Sequence, residues 1–130
     1  MTEQSPTIDQ MADDQRLDEM FGRLLLALES ANLDALSRWR EFEECLKAHM
    51  DDEEQRMTPR LAAIRLREAL AILQEHRYLR SRLKEIGEAI VRGDLRLENA
   101  RSFRDEIRAQ ARHEEAILLR LAGNDGGDGS

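Results

Sequence analysis

The chain has 130 residues and a formal charge of −7, with 36% charged and only 4% aromatic residues. That length fits one domain that can bury a core without covalent staples, and the negative balance argues against phosphate-backbone binding, so no nucleic-acid partner is expected. The single cysteine, Cys45, excludes an internal disulfide or a thiolate-ligated metal cluster and suits a reducing cytoplasm.

The opening residues 1–8 read as a flexible polar arm. Four helical patterns follow, from about Asp9 to Ser30, from Asn32 or Asp34 to Met57, from Arg65 to Val91 and from Glu98 to Ala122. Asn32 or Asp34 can cap the second pattern, and Thr58-Pro59 interrupts after it, because proline pushes its predecessor out of the helical region. Arg92-Gly93-Asp94 ends the third, where glycine can supply a left-handed terminus. Residues 123–130 (GNDGGDGS) read as a disordered tail. Short connections between long helices imply that neighbours run antiparallel, so residues 9–122 are expected to form an all-α, up-down-up-down four-helix bundle. There is no signal-peptide pattern, and the longest apolar run, Leu24–Leu28, is too short to span a bilayer; no membrane partner and a cytoplasmic location are expected.

Charge is uneven along the chain. Residues 1–58 carry 15 acidic and 6 basic side chains, whereas residues 59–122 carry 10 acidic and 14 basic. An acidic helix pair packing on a basic pair accounts for this; recruitment of an acidic protein partner by the basic half is the minor alternative. An apolar strip at Leu25, Leu26 and Leu36 offers a surface for a homodimer.

Continuing each apolar seam along its helix brings polar residues inward. The second helix reads Trp39, Phe42, Leu46, then His49 and Glu53; the third reads Ala69, Leu73, His76, Leu83, Ile90. The fourth reads Phe103, Ile107, Gln110, Glu114, Leu118, Leu121, and the first projects Leu17, Phe21, Leu24 and Leu28 back to Asp14. In an antiparallel bundle Asp14, His49, Glu53, His76, Gln110 and Glu114 then fall at one end, within roughly 12 Å along the axis. Buried unpaired carboxylates cost several kcal/mol each, so this ring must be neutralised. A first-row transition metal does so, with iron the natural candidate and manganese or zinc behind it. A hydrated network of His–carboxylate pairs without metal does so as well.

At these residues the chain resembles the hemerythrin-like (HHE cation-binding) family. Leu46-Lys-Ala-His-Met-Asp-Asp-Glu-Glu-Gln-Arg-Met-Thr-Pro59 is similar to its second-helix motif of His, three residues, Glu-Glu and a proline exit. Glu75-His-Arg-Tyr-Leu-Arg80 is similar to its third-helix Glu-His motif, and Gln110-Ala-Arg-His-Glu-Glu115 falls where a second His-x-x-x-Glu is expected. The resemblance covers about Asp13 to Ala122. It implies that His49, Glu53, His76 and Glu114 are metal ligands, with one Glu of the pair able to bridge two irons. Asp14 and Gln110 stand where two further histidines are expected, and His113 lies off the seam unless the register slips. The implied function is an iron protein with an atypical mono- or di-iron site, in iron or oxygen sensing or handling rather than oxygen carriage. The alternative is a metal-free bundle serving as a structural or protein-interaction module. A ferritin-like enzyme requires Glu-x-x-His within a helix, and Leu46, Leu73 and Gln110 occupy the positions three before the histidines. No enzymatic activity is expected. Met50 and Met57 are expected to fill core gaps, Trp39 to sit in the core or an interface, Tyr78 to point off the seam, and Cys45 to be a half-buried, inert thiol.

Overall fold

A computed structural model describes the backbone of residues 6–127 and the side chains of residues 12–121. Those residues form five helices and no strand: α1 (Pro6–Glu29), α2 (Ala35–Arg56), α3 (Thr58–Ile64), α4 (Leu66–Arg92) and α5 (Leu97–Gly127). Helix α1 packs against α2 and α5, α4 packs against α2 and α5, and the short α3 rests on α2 and α4. The result is a helical bundle.

The helix ends follow from local chemistry. Helix α1 closes on Ala31 at φ 51°, and the Asn32 N–H reaches back to the Ala27 carbonyl at 2.8 Å. That left-handed turn is normally glycine's, since a Cβ crowds it. Asp34 occupies the cap position of α2 without a side-chain cap bond; the Asn32 side-chain oxygen instead accepts the Asp34 N–H at 3.1 Å. Gly93 ends α4 in the left-handed region at φ 76°, and the Asp94 N–H returns to the Ala89 carbonyl at 3.0 Å, satisfying the terminal acceptors.

Three boundaries differ from expectation. The interruption at Thr58-Pro59 does not produce a loop: Pro59 sits in the first turn of α3, where its missing N–H costs nothing. The break falls at Met57, and a fifth helix results. Helix α1 begins at Pro6, earlier than Asp9, and α5 continues past Gly123 to Gly127, since a helical glycine weakens a helix by about 1 kcal/mol without forbidding it. The first five residues of the predicted arm and the last three of the predicted tail lie outside the described residues.

Two apolar clusters form the core. The larger joins Phe21 of α1, Trp39 and Phe42 of α2, Leu79 and Leu83 of α4 and Phe103 of α5. Phe21 meets Phe42 edge-on at 4.9 Å between ring centroids and Phe103 at 6.0 Å, arrangements that suit the ring quadrupoles. The smaller joins Leu61, Ala69, Ile72 and Ile117. On α4 the buried stripe is Ala69, Ile72, His76, Leu79, Leu83 and Ile86, whereas Leu73 and Ile90 are only half-buried. Leu25, expected on an exposed strip, is buried at 7%, because α1 faces both α2 and α5; Leu26 is 66% exposed and Leu36 half-buried. Trp39 and Met50 are buried, Cys45 and Met57 are half-buried, and Tyr78 points outward, donating to Glu106 at 2.6 Å. No described helix is long and apolar enough to cross a membrane.

Candidate metal centre

Between the two apolar clusters lies a polar layer. Residues four apart share a helix face, so His49 and Glu53 project together from α2, and Gln110 and Glu114 project together from α5. His76 enters from α4 between Ile72 and Leu79, and Asp13 and Asp14 approach on α1. His76 and Glu114 are 0% exposed and Glu53 is 3% exposed.

Glu53 is the centre of the layer. Its Oε1 lies 2.9 Å from His76 Nε2, and its Oε2 lies 3.1 Å from His49 Nε2. Glu114 Oε2 stands 3.0 Å from the same His76 Nε2, and Asp14 Oδ1 stands 3.4 Å from His49 Nε2. The Gln110 amide donates to Glu114 Oε2. All six polar residues that the seams project inward therefore form one connected set.

The other nitrogen of each imidazole is held by a carboxylate. His49 Nδ1 is 3.2 Å from Asp13 Oδ2, and His76 Nδ1 is 2.7 Å from Glu54 Oε2. Arg80 then fixes Glu54 at 2.7 Å and Asp51 at 2.8 Å. This is how histidine ligands are oriented in metal sites: a carboxylate on Nδ1 sets the ring angle and leaves Nε2 aimed at the ion.

Electrostatics follow from burial and neighbours. Burial by itself would push both histidines down, but Asp14 and Glu53 raise His49 to about 11. Glu114, Glu53 and Glu54 likewise raise His76 to about 10 against its burial. Glu53, although buried, is drawn down to about 2 by the two imidazoles. Glu114 is pushed up to about 8, first by burial and then by the neighbouring Glu53, with His76 opposing. Burial works against an ionised Glu54, but Arg80 and His76 hold its carboxyl below the usual range.

The donor set fits a metal ion. Glu53, His76 and Glu114 each offer a buried ligand atom within 4.8 Å of one another. Two ligands at right angles on an ion with bonds of about 2.1 Å lie about 3.0 Å apart, and the contacts converging on the two Nε2 atoms span 2.9–3.4 Å. Glu53 Oε2 is buried and lies 3.1 Å from His49 Nε2 without a hydrogen-bond partner among the described residues. His76 Nε2 carries at most one proton yet faces two carboxylate oxygens. An ion between them would satisfy both atoms.

His113 is separate from the layer: its Nδ1 pairs with Glu75 at 2.9 Å, half-exposed between α4 and α5. Gln110 faces Glu114 with its amide nitrogen, a donor rather than a ligand atom. Seam reasoning misses Asp13 and Glu54, which lie one residue from the inward positions Asp14 and Glu53. Their signal is the doubling of each acid, Asp13-Asp14 and Glu53-Glu54, with the second carboxylate available to the flank of a histidine ring.

A family model described as the Hemerythrin HHE cation binding domain matches residues 7–122. No curated protein and no solved structure matches the chain.

Proposed function

The chain belongs to the hemerythrin HHE cation binding domain family, and from that premise we propose that it holds iron around Glu53 and serves in iron or oxygen sensing or handling. The observation that carries this reading is Glu53, which offers one carboxylate oxygen toward each of two carboxylate-oriented histidines. Asp14, His49 and Glu53 Oε2 would hold one ion, and Glu53 Oε1, His76 and Glu114 a second. Manganese or zinc can use the same donors. When bound, iron supplies reversible one-electron chemistry and a coordination position for a small ligand.

The chain's own residues do the rest. Asp13 and Glu54 hold the two ring angles, Gln110 steadies Glu114, and the apolar clusters on either side exclude water. With Asp14 and Gln110 in place of histidines, the layer contains two imidazoles, too few for conventional oxygen carriage. In this reading α1, α2, α4 and α5 run up-down-up-down, the protein works in the cytoplasm and is not an enzyme, and a protein partner or second copy reads the state of the site.

A second reading has one observation in its favour: His76 already contacts three carboxylates, Glu53, Glu54 and Glu114, so the layer can neutralise itself. The bundle would then be a metal-free interaction module. Anaerobic calorimetric titration of chelator-stripped protein with ferrous ion separates the two. Saturable uptake that disappears in Glu53→Ala, with the fold retained by circular dichroism, supports the iron site. Absence of uptake by the wild type leaves the module.

A further inference from the structure

Exposure falls in steps across the polar layer. The side chains of Asp13, Asp14 and His49 are 45%, 20% and 10% exposed, that of Glu53 3%, and those of His76 and Glu114 0%. The spacings are short throughout. His49 Nδ1 lies 3.2 Å from Asp13, and its Nε2 lies 3.4 Å from Asp14 and 3.1 Å from Glu53 Oε2; Glu53 Oε1 then reaches His76 at 2.9 Å. We propose that Asp13, Asp14 and His49, at the edge between α1 and α2, are the entry route by which a divalent transition-metal cation reaches Glu53, His76 and Glu114. This rests on the ion-binding reading of the layer and names which residues admit the ion and which retain it.

The other sides of the layer present cations or N–H donors. Between α2 and α4, Arg80 lies across Glu54 and Asp51. Between α4 and α5, Gln110 turns its amide N–H toward Glu114. Between α1 and α5, Arg104 and Arg108 both grip Asp18, one turn from Asp14. A cation is repelled at such walls and drawn to a mouth of carboxylates. Along the bundle axis the apolar clusters close both directions, and an ion cannot leave its water for them. At the α1–α2 edge Arg16 touches Asp13, but at 3.8 Å and with both side chains well exposed, a contact that solvent screens.

Glu53 supplies the inner end of the route. Its Oε2 faces His49, buried and without a hydrogen-bond partner among the described residues, whereas its Oε1 faces His76. A buried orphan oxygen is costly, and this one is turned toward the half-exposed end of the ladder. One carboxylate thus joins the outer donors to the inner ones. Asp13 and Asp14, in contact with water, govern the rate of exchange; Glu53, His76 and Glu114, closed off from it, govern affinity.

Cobalt(II) takes the same nitrogen and oxygen donors and serves as the probe. It is mixed by stopped flow with an excess of the full chain, and its release is followed by a chelator chase. The Asp13→Asn/Asp14→Asn variant should take up cobalt about tenfold more slowly. Release should slow by a comparable factor, leaving affinity for the first ion within about threefold of the wild type. A Glu19→Gln/Asp52→Asn variant removes the same charge from exposed positions on the same two helices and should leave both rates unchanged. Ala109→Phe, which fills the groove of about 480 Å³ between α4 and α5, should leave them unchanged too. Circular dichroism verifies the fold of each variant. Uptake at the wild-type rate in the Asp13/Asp14 variant overturns the route, as does equal slowing in the Glu19/Asp52 variant or slowing by Ala109→Phe. Weaker affinity at an unchanged uptake rate overturns it as well. These outcomes leave the ion-binding reading standing, whereas a wild type that takes up no cobalt removes both.

Discussion

Replacing His76 by leucine keeps much of the side-chain volume while removing the imidazolium that stands between Glu53 and Glu114. In the metal-free protein His76 Nε2 lies 2.9 Å from Glu53 and 3.0 Å from Glu114, and Nδ1 lies 2.7 Å from Glu54. Breaking a buried ion pair by deleting one partner costs about 3–5 kcal/mol. The neighbouring carboxylates act in the same direction on the histidine itself, holding its pKa at about 10 against an ordinary 6.5. Because the folded pKa lies above the unfolded one, that stability is fully present below pH 6.5 and is lost as pH rises through about 10. Urea unfolding in chelator at pH 6 should therefore show His76→Leu destabilised by about 3–5 kcal/mol. At pH 10.5 the gap should shrink markedly, because the wild-type imidazole is then mostly neutral. A difference below about 1 kcal/mol at pH 6, or one that does not change with pH, would refute this picture of the layer.

Asp18 ties α1 to α5 through Arg104 at 3.0 Å and Arg108 at 2.7 Å; with its carboxylate partly solvated, Asp18→Asn should cost about 1 kcal/mol by thermal or urea melts. Hydrogen bonding to Arg108 outweighs burial and lowers the Asp18 pKa below 3.8, so the contribution persists above that value and fades as pH falls through the depressed one. Ala31→Gly should stabilise the chain by about 1 kcal/mol in the same melts, by relieving the left-handed turn at φ 51°. Gln110→His should tighten ferrous binding by about tenfold in calorimetry, since an imidazole would replace an amide beside Glu114. Loss of affinity would show that Gln110 is needed as a donor.

The polar layer is legible in the sequence because a helical seam has a fixed period. Once Phe42 and Leu46 face inward, His49 and Glu53 must follow on α2, and the same step carries Phe103 and Ile107 to Gln110 and Glu114 on α5. What the period leaves open is the rotation of each helix against its neighbours. Helix α4 touches α2, α3 and α5, so its buried stripe takes in Ile72, Leu79 and Ile86 rather than Leu73 and Ile90. Leu25 is buried for the same reason on α1. Asp13 and Glu54 lie at the edge of their seams, where a small helix rotation decides between solvent and a histidine ring. Pro59 carried two meanings, helix end and helix start, and only the packing of α3 on α2 and α4 selects the second.

Anomalous scattering at the iron edge, from crystals grown anaerobically with ferrous ion, tests the central claim most directly. The account predicts a peak bonded to Glu53, His76 and Glu114, with a second site at His49 and Asp14 bridged by Glu53 if the pair fills. Well-ordered crystals in which Glu53 and His76 contact each other directly, with no anomalous peak between them, would contradict it.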